Sequence, residues 1–384
     1  MFRMKIVYFY SHFAQHAGTE RVLIDKMNYL SSLKGFEVVM LTHDQGIHPV
    51  AFPLSLKVKH VDLNVRLFSL YQDNKLVRLF KWRSRLRQLQ KSYDNFIEKI
   101  HPDIVVTTTY SEELVKVVAN SSYEVVRVLE SHIDYRFLKS TNLLMAKDIF
   151  TRLYLYYRQK TLLRNARLFD LIVTLNKNDA EDWGHFLPTK IIPNVVSLNQ
   201  CSIYSKHINK RAIFVGRYVN QKGIPDLFEI WKRVSMKYPD WYLDCYGDGE
   251  LYDWMVNRVQ QDSLRICIHH STNRLFEHYC ESSFLLMTSI YEPFGLVLPE
   301  AMSCGLPVVS FDNDGPRRII SHGKDGFIIK NRSIDDYVES VLKLIEDRDL
   351  CMQMGENAIL SSQRFSQENI MPMWKELFES LVKK

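Results

Sequence analysis

Short apolar, β-branched runs return along this chain at intervals long enough to hold a helix. They read KIVYFY from Lys5, EVVMLTH from Glu37, DIVVTTT from Asp103, EVVRVLE from Glu124, LIVTLN from Leu171, AIFVGR from Ala212, WYLDCYG from Trp241, SFLLMTS from Ser283 and PVVSFD from Pro307. A strand that is apolar along its whole length is buried on both faces, and a helix-length spacer is the crossover that parallel pairing requires. The chain is therefore α/β, with parallel sheets covered by helices on both sides. A length of 384 residues suits two cores better than one. The runs also fall into two sets, separated by IIPNVVSLNQCSIYSKHINKR, Ile191 to Arg211, which is polar and has neither a helical nor a strand period. The linker is predicted near Val195 to Lys210. Two doubly wound domains follow, 1–198 and 199–365, with a closing helix over 366–384 that has Ser366 as N-cap and Glu368 close behind.

The charge is unevenly shared. Residues 1–198 carry 28 Lys+Arg against 19 Asp+Glu, a balance of +9, and the remainder carries 22 against 25, or −3, which together give the net +6. Much of the excess lies in KLVRLFKWRSRLRQLQK, Lys75 to Lys91, with seven basic residues and no acidic one. Leu76, Leu79, Phe80, Leu86 and Leu89 recur there at helical spacing, so the segment is predicted to be an amphipathic helix with a basic face. One reading is an ordinary surface helix packed on a sheet; the sharper one is a helix resting on anionic lipid headgroups. FTRLYLYYRQKTLLRNAR, Phe150 to Arg167, is basic and aromatic and favours the sharper reading. Nucleic acid is a third option, but no recognition motif accompanies the charge. The apolar run Ile6 to Tyr10 is too short for a signal peptide or a spanning helix, so a cytoplasmic protein is expected, at most touching the inner face of the membrane. Cys201, Cys245, Cys267, Cys280, Cys304 and Cys351 form no CxxC pair and read as reduced, mostly buried thiols.

In YEPFGLVLPEAMSCGLP, Tyr291 to Pro307, two glutamates stand eight positions apart after a strand. Pro299 sets the frame, because an interior proline costs about 3 kcal/mol and is tolerated only in the first turn of a helix. A helix is therefore predicted from about Gly295 to Cys304, capped by Gly305, with the N–H groups of Gly295, Leu296 and Val297 free to meet an anion such as a diphosphate. Glu292, before the helix, and Glu300, in its second turn, would repel a phosphate, so their expected partners are hydroxyls of a sugar and a ribose. Upstream, FVGRYVNQKG places Arg217 and Lys222 in the loop after a strand, where two cations can converge on a diphosphate. Two doubly wound domains in tandem would bind such a ligand between the carboxyl ends of their sheets.

Glu292-x7-Glu300 in EPFGLVLPEAMSCGLPVV, with FVGRYVNQKG upstream and GKDGFII downstream, resembles the family-four retaining glycosyltransferases of the GT-B fold. The resemblance covers nearly the whole chain, most specifically in the glutamate motif. It implies two Rossmann-like domains facing across a cleft, an acceptor side in the first and a nucleotide-sugar side in the second, and a last helix that crosses back to the first. It further implies that Glu300 binds the ribose hydroxyls, that Glu292 contacts the donor sugar, that Arg217 and Lys222 neutralise the diphosphate, and that the amides around Phe294 to Val297 cradle it. AGTERVLIDKMNYL is similar to the family's glycine-rich loop, which puts Gly18 beside the donor phosphates, although Ala17 stands where a glycine is frequent. VLESHIDYR matches the strand end that carries an active-site histidine, here His132, with Glu130 in a supporting place. Where the family commonly has a glycine near the nucleobase stand His269 and His270, and Arg318 stands where an acidic residue is frequent.

The resemblance implies transfer of a sugar from a nucleotide-diphosphate donor, with UDP-sugar expected, to a saccharide or lipid-linked saccharide in cell-surface polysaccharide synthesis. Charge on the leaving group would be stabilised by Arg217, Lys222 and the helix start, without a metal or other cofactor. No histidine and aspartate cluster has convincing ligand spacing, and His12 and His16 lack the glutamate of an HExxH motif. A GT-B epimerase, a sugar-phosphate synthase and a non-enzymatic sugar-nucleotide binder stay open as alternatives. A dinucleotide oxidoreductase is disfavoured, because GDGELY at Gly247 lacks the third glycine.

Overall fold

A computed structural model describes residues 3–72, 75–136, 149–199 and 203–382. Cys201 lies outside them, as do the side chains of Leu76, Leu79, Phe80 and Phe150. The chain divides into two compact units, Met1–Val195 with Ile370–Lys384, and Val196–Asn369.

The first unit is built on seven strands: β1 (Met4–Phe9), β2 (Phe36–Thr42), β3 (Lys59–Asp62), β4 (Ile104–Thr108), β5 (Val126–Glu130), β6 (Leu171–Thr174) and β7 (Thr189–Ile191), in the order β3-β2-β1-β4-β5-β6-β7. The second has six: β8 (Arg211–Val215), β9 (Tyr242–Tyr246), β10 (Ile266–His269), β11 (Phe284–Met287), β12 (Val308–Phe311) and β13 (Gly326–Ile329), ordered β10-β9-β8-β11-β12-β13. Every pairing between these strands is parallel. Each sheet is thus a doubly wound Rossmann-like sheet, as the apolar runs predict. In β1 the residues Ile6, Val7, Tyr8 and Phe9 are all buried, so both sheet faces are covered.

The apolar runs did not announce β3 (KHVD), β7 (TKI), β10 (ICIH) or β13 (GFII). All four are edge strands: the first two close the first sheet, where one side needs no partner and the apolar requirement lapses, and the last two are mostly apolar but only four residues long. Each sheet reverses direction of winding once, at β1/β4 and at β8/β11, the places where loops diverge and leave room for a ligand.

The segment after Val195 is tied down rather than loose. Val196 N–H donates to Phe365 O at 2.9 Å, Asn199 N–H to Ser303 Oγ at 3.0 Å, and Ser205 N–H to Cys304 O at 2.9 Å. The last helix, Gln367–Val382, begins directly after Ser366, and the chain returns to the first unit within it. Its Ile370, Met371, Trp374, Leu377 and Phe378 are buried, a stripe at helical spacing. The Trp374 ring lies 4.2 Å from Lys26 Nζ, on helix Gly18–Ser32. No described helix is long and apolar enough to cross a membrane.

Truncating Trp374 to alanine removes this buried ring and the cover over Lys26. A loss of about 3 to 5 kcal/mol is expected, read in urea denaturation followed by circular dichroism as an earlier unfolding transition.

Candidate functional site

In the second unit the loops after β8 and β11 leave the same switch point and are laced together. Ile290 N–H donates to Gln221 O at 2.8 Å, Gln221 Nε2 to Tyr291 O at 3.1 Å, and Thr288 Oγ1 to Lys222 O at 2.9 Å. Gly223 makes this approach possible: its φ is +64°, and a Cβ there would lie 2.0 Å from Thr288 O. Only glycine fits. From the other side Arg332 Nη1 donates to Ser289 O at 2.9 Å and Nη2 to Thr288 O at 3.1 Å, while its guanidinium lies 4.2 Å from the Phe311 ring. Asn313 Nδ2 also donates to Ser289 O, at 2.9 Å, and Gly315 N–H donates to Glu292 O at 3.0 Å.

This lacing brings two of the anticipated residues into direct contact. Lys222 Nζ lies 2.5 Å from Glu292 Oε2, which also accepts from Ser289 Oγ at 3.2 Å. With side chains only 17% and 9% exposed, the pair is shielded enough for its attraction to exceed that of a surface ion pair. Lys222 thus cancels the negative charge that Glu292 would otherwise set against a phosphate. Arg217, six residues after the start of β8, is exposed and has no ion-pair partner among the described residues, so its charge is available.

The helix after the loop is Val297–Ser303, shorter than the predicted run from about Gly295. Gly295 has φ +90°, which no helical residue adopts, so the helix cannot start before Leu296. Pro299 falls in its first turn as required, and Leu306 N–H to Ala301 O with Gly305 N–H to Met302 O close its end in a Schellman pattern. First-turn N–H groups have no intrahelical acceptor, so those of Leu296 and Val297, with Gly295 before them, face away from the helix body. Glu300 is buried, and Tyr279 OH donates to its Oε2 at 3.4 Å. Phe294 is buried edge-on against Phe365, with centroids 5.5 Å apart, so its ring packs and only its backbone belongs to the loop.

His269 and His270 diverge. The His269 ring stacks on Tyr246 at 4.6 Å and its Nε2 is 3.1 Å from Asp244 Oδ1; it lines a cavity with Arg211, Asp244, Tyr246, His278 and Glu281, not with Glu292 or Glu300. His270 stacks on Tyr252 at 4.4 Å, with Nδ1 2.6 Å from Asp248 Oδ1. Successive strand-end residues point to opposite faces, and these two do so. Among the described residues Asp244, Cys267 and His269 bring ligand-type atoms within 4.8 Å of one another. Arg211, however, bonds both carboxylate oxygens of Asp244 and sets a positive charge where an ion would sit. The Asp312-x-Asp314 spacing beside the site is likewise engaged, with Arg317 at 2.9 and 3.2 Å. Arg318 is half-buried on helix Asp314–Ile319, and burial lowers its pKa against the opposing pull of Asp314.

In the first unit Gly18 opens helix Gly18–Ser32, exposed and preceded by Ala17 in extended conformation with no side-chain cap. His132 follows β5, buried, with Nε2 2.9 Å from Glu130 Oε2. Lys26 bonds the same oxygen, which no motif signals: it lies 104 positions from Glu130, in the interior of a helix. Burial lowers the pKa of His132 and Lys26 lowers it further, against Glu130, so the imidazole is neutral at pH 7. The loop beyond is held by Asp179, whose Oδ1 accepts from Tyr135 N–H at 2.7 Å.

The two sheets define the class first: full-length likeness to solved structures places the chain among proteins of the GT-B glycosyltransferase fold. One such structure, Staphylococcus aureus TarM in complex with UDP, aligns with a TM-score of 0.78 at 15% identity, covering 98% of this chain and 100% of that one. Residues 204–361, within the second unit, match the family model "Glycosyl transferases group 1". An uncharacterized glycosyltransferase of Haemophilus influenzae is 25% identical over 377 residues, 97% of this chain and 99% of its own length. A Staphylococcus aureus poly(ribitol-phosphate) alpha-N-acetylglucosaminyltransferase is 27% identical over 58% of this chain and 46% of its own.

Burial raises the Asp179 pKa to about 7, with Asp134 and Asp182 adding to it and hydrogen bonds from Ser131 and Tyr135 offsetting part. The folded state therefore holds a proton that the unfolded state releases near pH 4. Stability should fall as pH rises from about 4 to 7, by at most about 1.4 kcal/mol per unit, and level off above. Asp179→Asn, which keeps the acceptor for Tyr135, is expected to flatten that slope in urea titrations at a series of pH values.

Proposed function

We propose that the protein is a retaining glycosyltransferase that takes a sugar from a nucleotide-diphosphate donor, UDP-sugar in the first instance, and gives it to a hydroxyl of a saccharide or lipid-linked saccharide. The observation that carries this reading is the convergence at the β8/β11 switch point: Lys222 on Glu292, a free Arg217, and the amides of Gly295 to Val297. Charge develops on the departing diphosphate as the glycosidic bond breaks. Arg217, Lys222 and oriented amides are groups that stabilise such charge without reorganising. With no carboxylate assigned as a nucleophile, the acceptor hydroxyl attacks on the face from which the diphosphate leaves, its proton passing to the departing phosphate oxygen as the new bond to the anomeric carbon replaces the old one, and configuration is retained. Glu292 holds the sugar, Glu300 the ribose, and neutral His132 accepts a hydrogen bond from the reacting sugars. No metal is assigned a part.

UDP as the nucleotide is supported by the TarM complex, and a cell-surface polysaccharide or teichoic acid as the product by the poly(ribitol-phosphate) enzyme. A cytoplasmic enzyme working at the inner face of a membrane fits the basic first unit. On helix Lys75–Ile100 the side chains of Lys81, Arg83 and Arg87 are exposed, and on helix Ile149–Ala166 Leu153 and Tyr157 are 59% and 67% exposed. Exposed basic side chains on one helix and exposed aromatic and aliphatic ones on another suit anionic headgroups.

Calorimetric titration with UDP, GDP and ADP, without added metal, tests the donor. Micromolar binding of UDP is expected; binding of none would remove the assigned roles of Glu292 and Glu300. Glu300→Ala, losing one charge-assisted contact of about 1.5 to 3 kcal/mol, should weaken that binding roughly tenfold to a hundredfold. Flotation with vesicles tests the surface: recovery with anionic but not neutral vesicles is expected, and equal recovery would remove the membrane reading.

A further inference from the structure

Lys26 is only 1% exposed, in the interior of a helix whose neighbouring buried residues are Val22, Leu23, Ile24, Met27 and Leu30. An ammonium group in such a place is tolerated only with a partner, because an unpaired buried charge costs several kcal/mol. Its partner is Glu130 at the end of β5, and the contact is to Oε2, the oxygen that also meets His132 Nε2 at 2.9 Å. The Trp374 ring, 4.2 Å from Nζ, covers the ammonium from the last helix. The titratable groups facing the carboxylate are Lys26 from helix Gly18–Ser32, Tyr8 from β1, and His132 from its own strand end. Burial alone would raise the Glu130 pKa; Lys26 and His132 outweigh it, and the carboxyl stays ionised.

An ionised carboxylate only accepts hydrogen bonds, so both nitrogens that meet Oε2 must bring a proton. A neutral His132 has one proton to give, and it must sit on Nε2. Were Glu130 protonated, its hydroxyl could donate to Nε2 and the imidazole proton would move to Nδ1, but Lys26 would then be a buried cation with no anion. We propose that Lys26 is a positioning residue for His132: it keeps Glu130 ionised, and Glu130 fixes the imidazole in the Nε2–H tautomer, leaving Nδ1 as a hydrogen-bond acceptor. The role rests on His132 acting at the site, as in the proposed function, but the tautomer and its cause do not.

Long-range nitrogen–proton correlation spectra of the 15N-labelled protein read tautomer and titration together, with His132 assigned by the loss of its signals in His132→Gln. The wild-type protein is expected to show the Nε2–H tautomer between about pH 6 and 8, with no titration at the ordinary value of about 6.5. Lys26→Met removes the competing cation, so His132 should take a proton to pair with Glu130, its pKa rising by about one unit or more. Lys26→Arg, which keeps the charge, should retain the wild-type tautomer and titration. An Nδ1–H tautomer in the wild type, an ordinary titration there, or an unchanged pKa in Lys26→Met would each overturn the proposal. Should Lys26→Met fail to fold, the wild-type tautomer decides alone. No donor or acceptor enters the measurement, so failure of the nucleotide titration and failure of this proposal are separate results.

Discussion

The pairing of β8 with β11 is the constraint on which the candidate site depends. It joins strands about 70 residues apart, with Ala212 opposite Phe284 and Ile213 opposite Leu285, and it is the point at which the second sheet reverses its winding. The loops that follow would otherwise diverge. They are drawn together because Gly223 admits the carbonyl of Thr288 and because Arg332 and Asn313 bind the next carbonyl from the far side. Backbone carbonyls accept all of these bonds, most of them from side chains outside the anticipated site residues, so the loop shape does not depend on the ligand-facing side chains. The contact of Lys222 with Glu292 is a product of that shape.

The two units handle buried charge in different ways. In the second, Lys222 and Glu292 pair where both side chains keep some exposure, 17% and 9%. In the first, Lys26, Glu130 and His132 are enclosed, and the ammonium is covered by Trp374. Such a group contributes little net stability compared with an apolar core, but removing Lys26 or Glu130 leaves the other's charge uncompensated. It therefore fixes an arrangement rather than strengthening the fold. Since Trp374 belongs to the last helix, the arrangement around Glu130 requires the chain's return to the first unit.

Much of the fold was legible because parallel strands buried on both faces need unbroken apolar runs. Central strands such as DIVVTTT and SFLLMTS declare themselves, whereas the edge strands KHVD and TKI do not, since one of their sides needs no cover. The site was legible where rigid residues dictate geometry. Pro299 limited where the helix could begin, though the positive φ of Gly295 moved the start two residues further on. His269 and His270 illustrate the opposite case: adjacent in sequence, they take separate partners on opposite faces, and no spacing rule foretells which aromatic ring or carboxylate each will meet.

Periodicity, proline and glycine act over a few residues at a time, and that is enough for the α/β class, the two winding units, and the loops that carry Arg217, Lys222, Glu292 and Glu300. Which of these groups touch, that Arg332 braces the loop after β11, and that a buried lysine sits behind His132 follow from the folded chain alone. Those contacts join positions 43 to 104 apart, and a separation of that size leaves no local pattern in the chain.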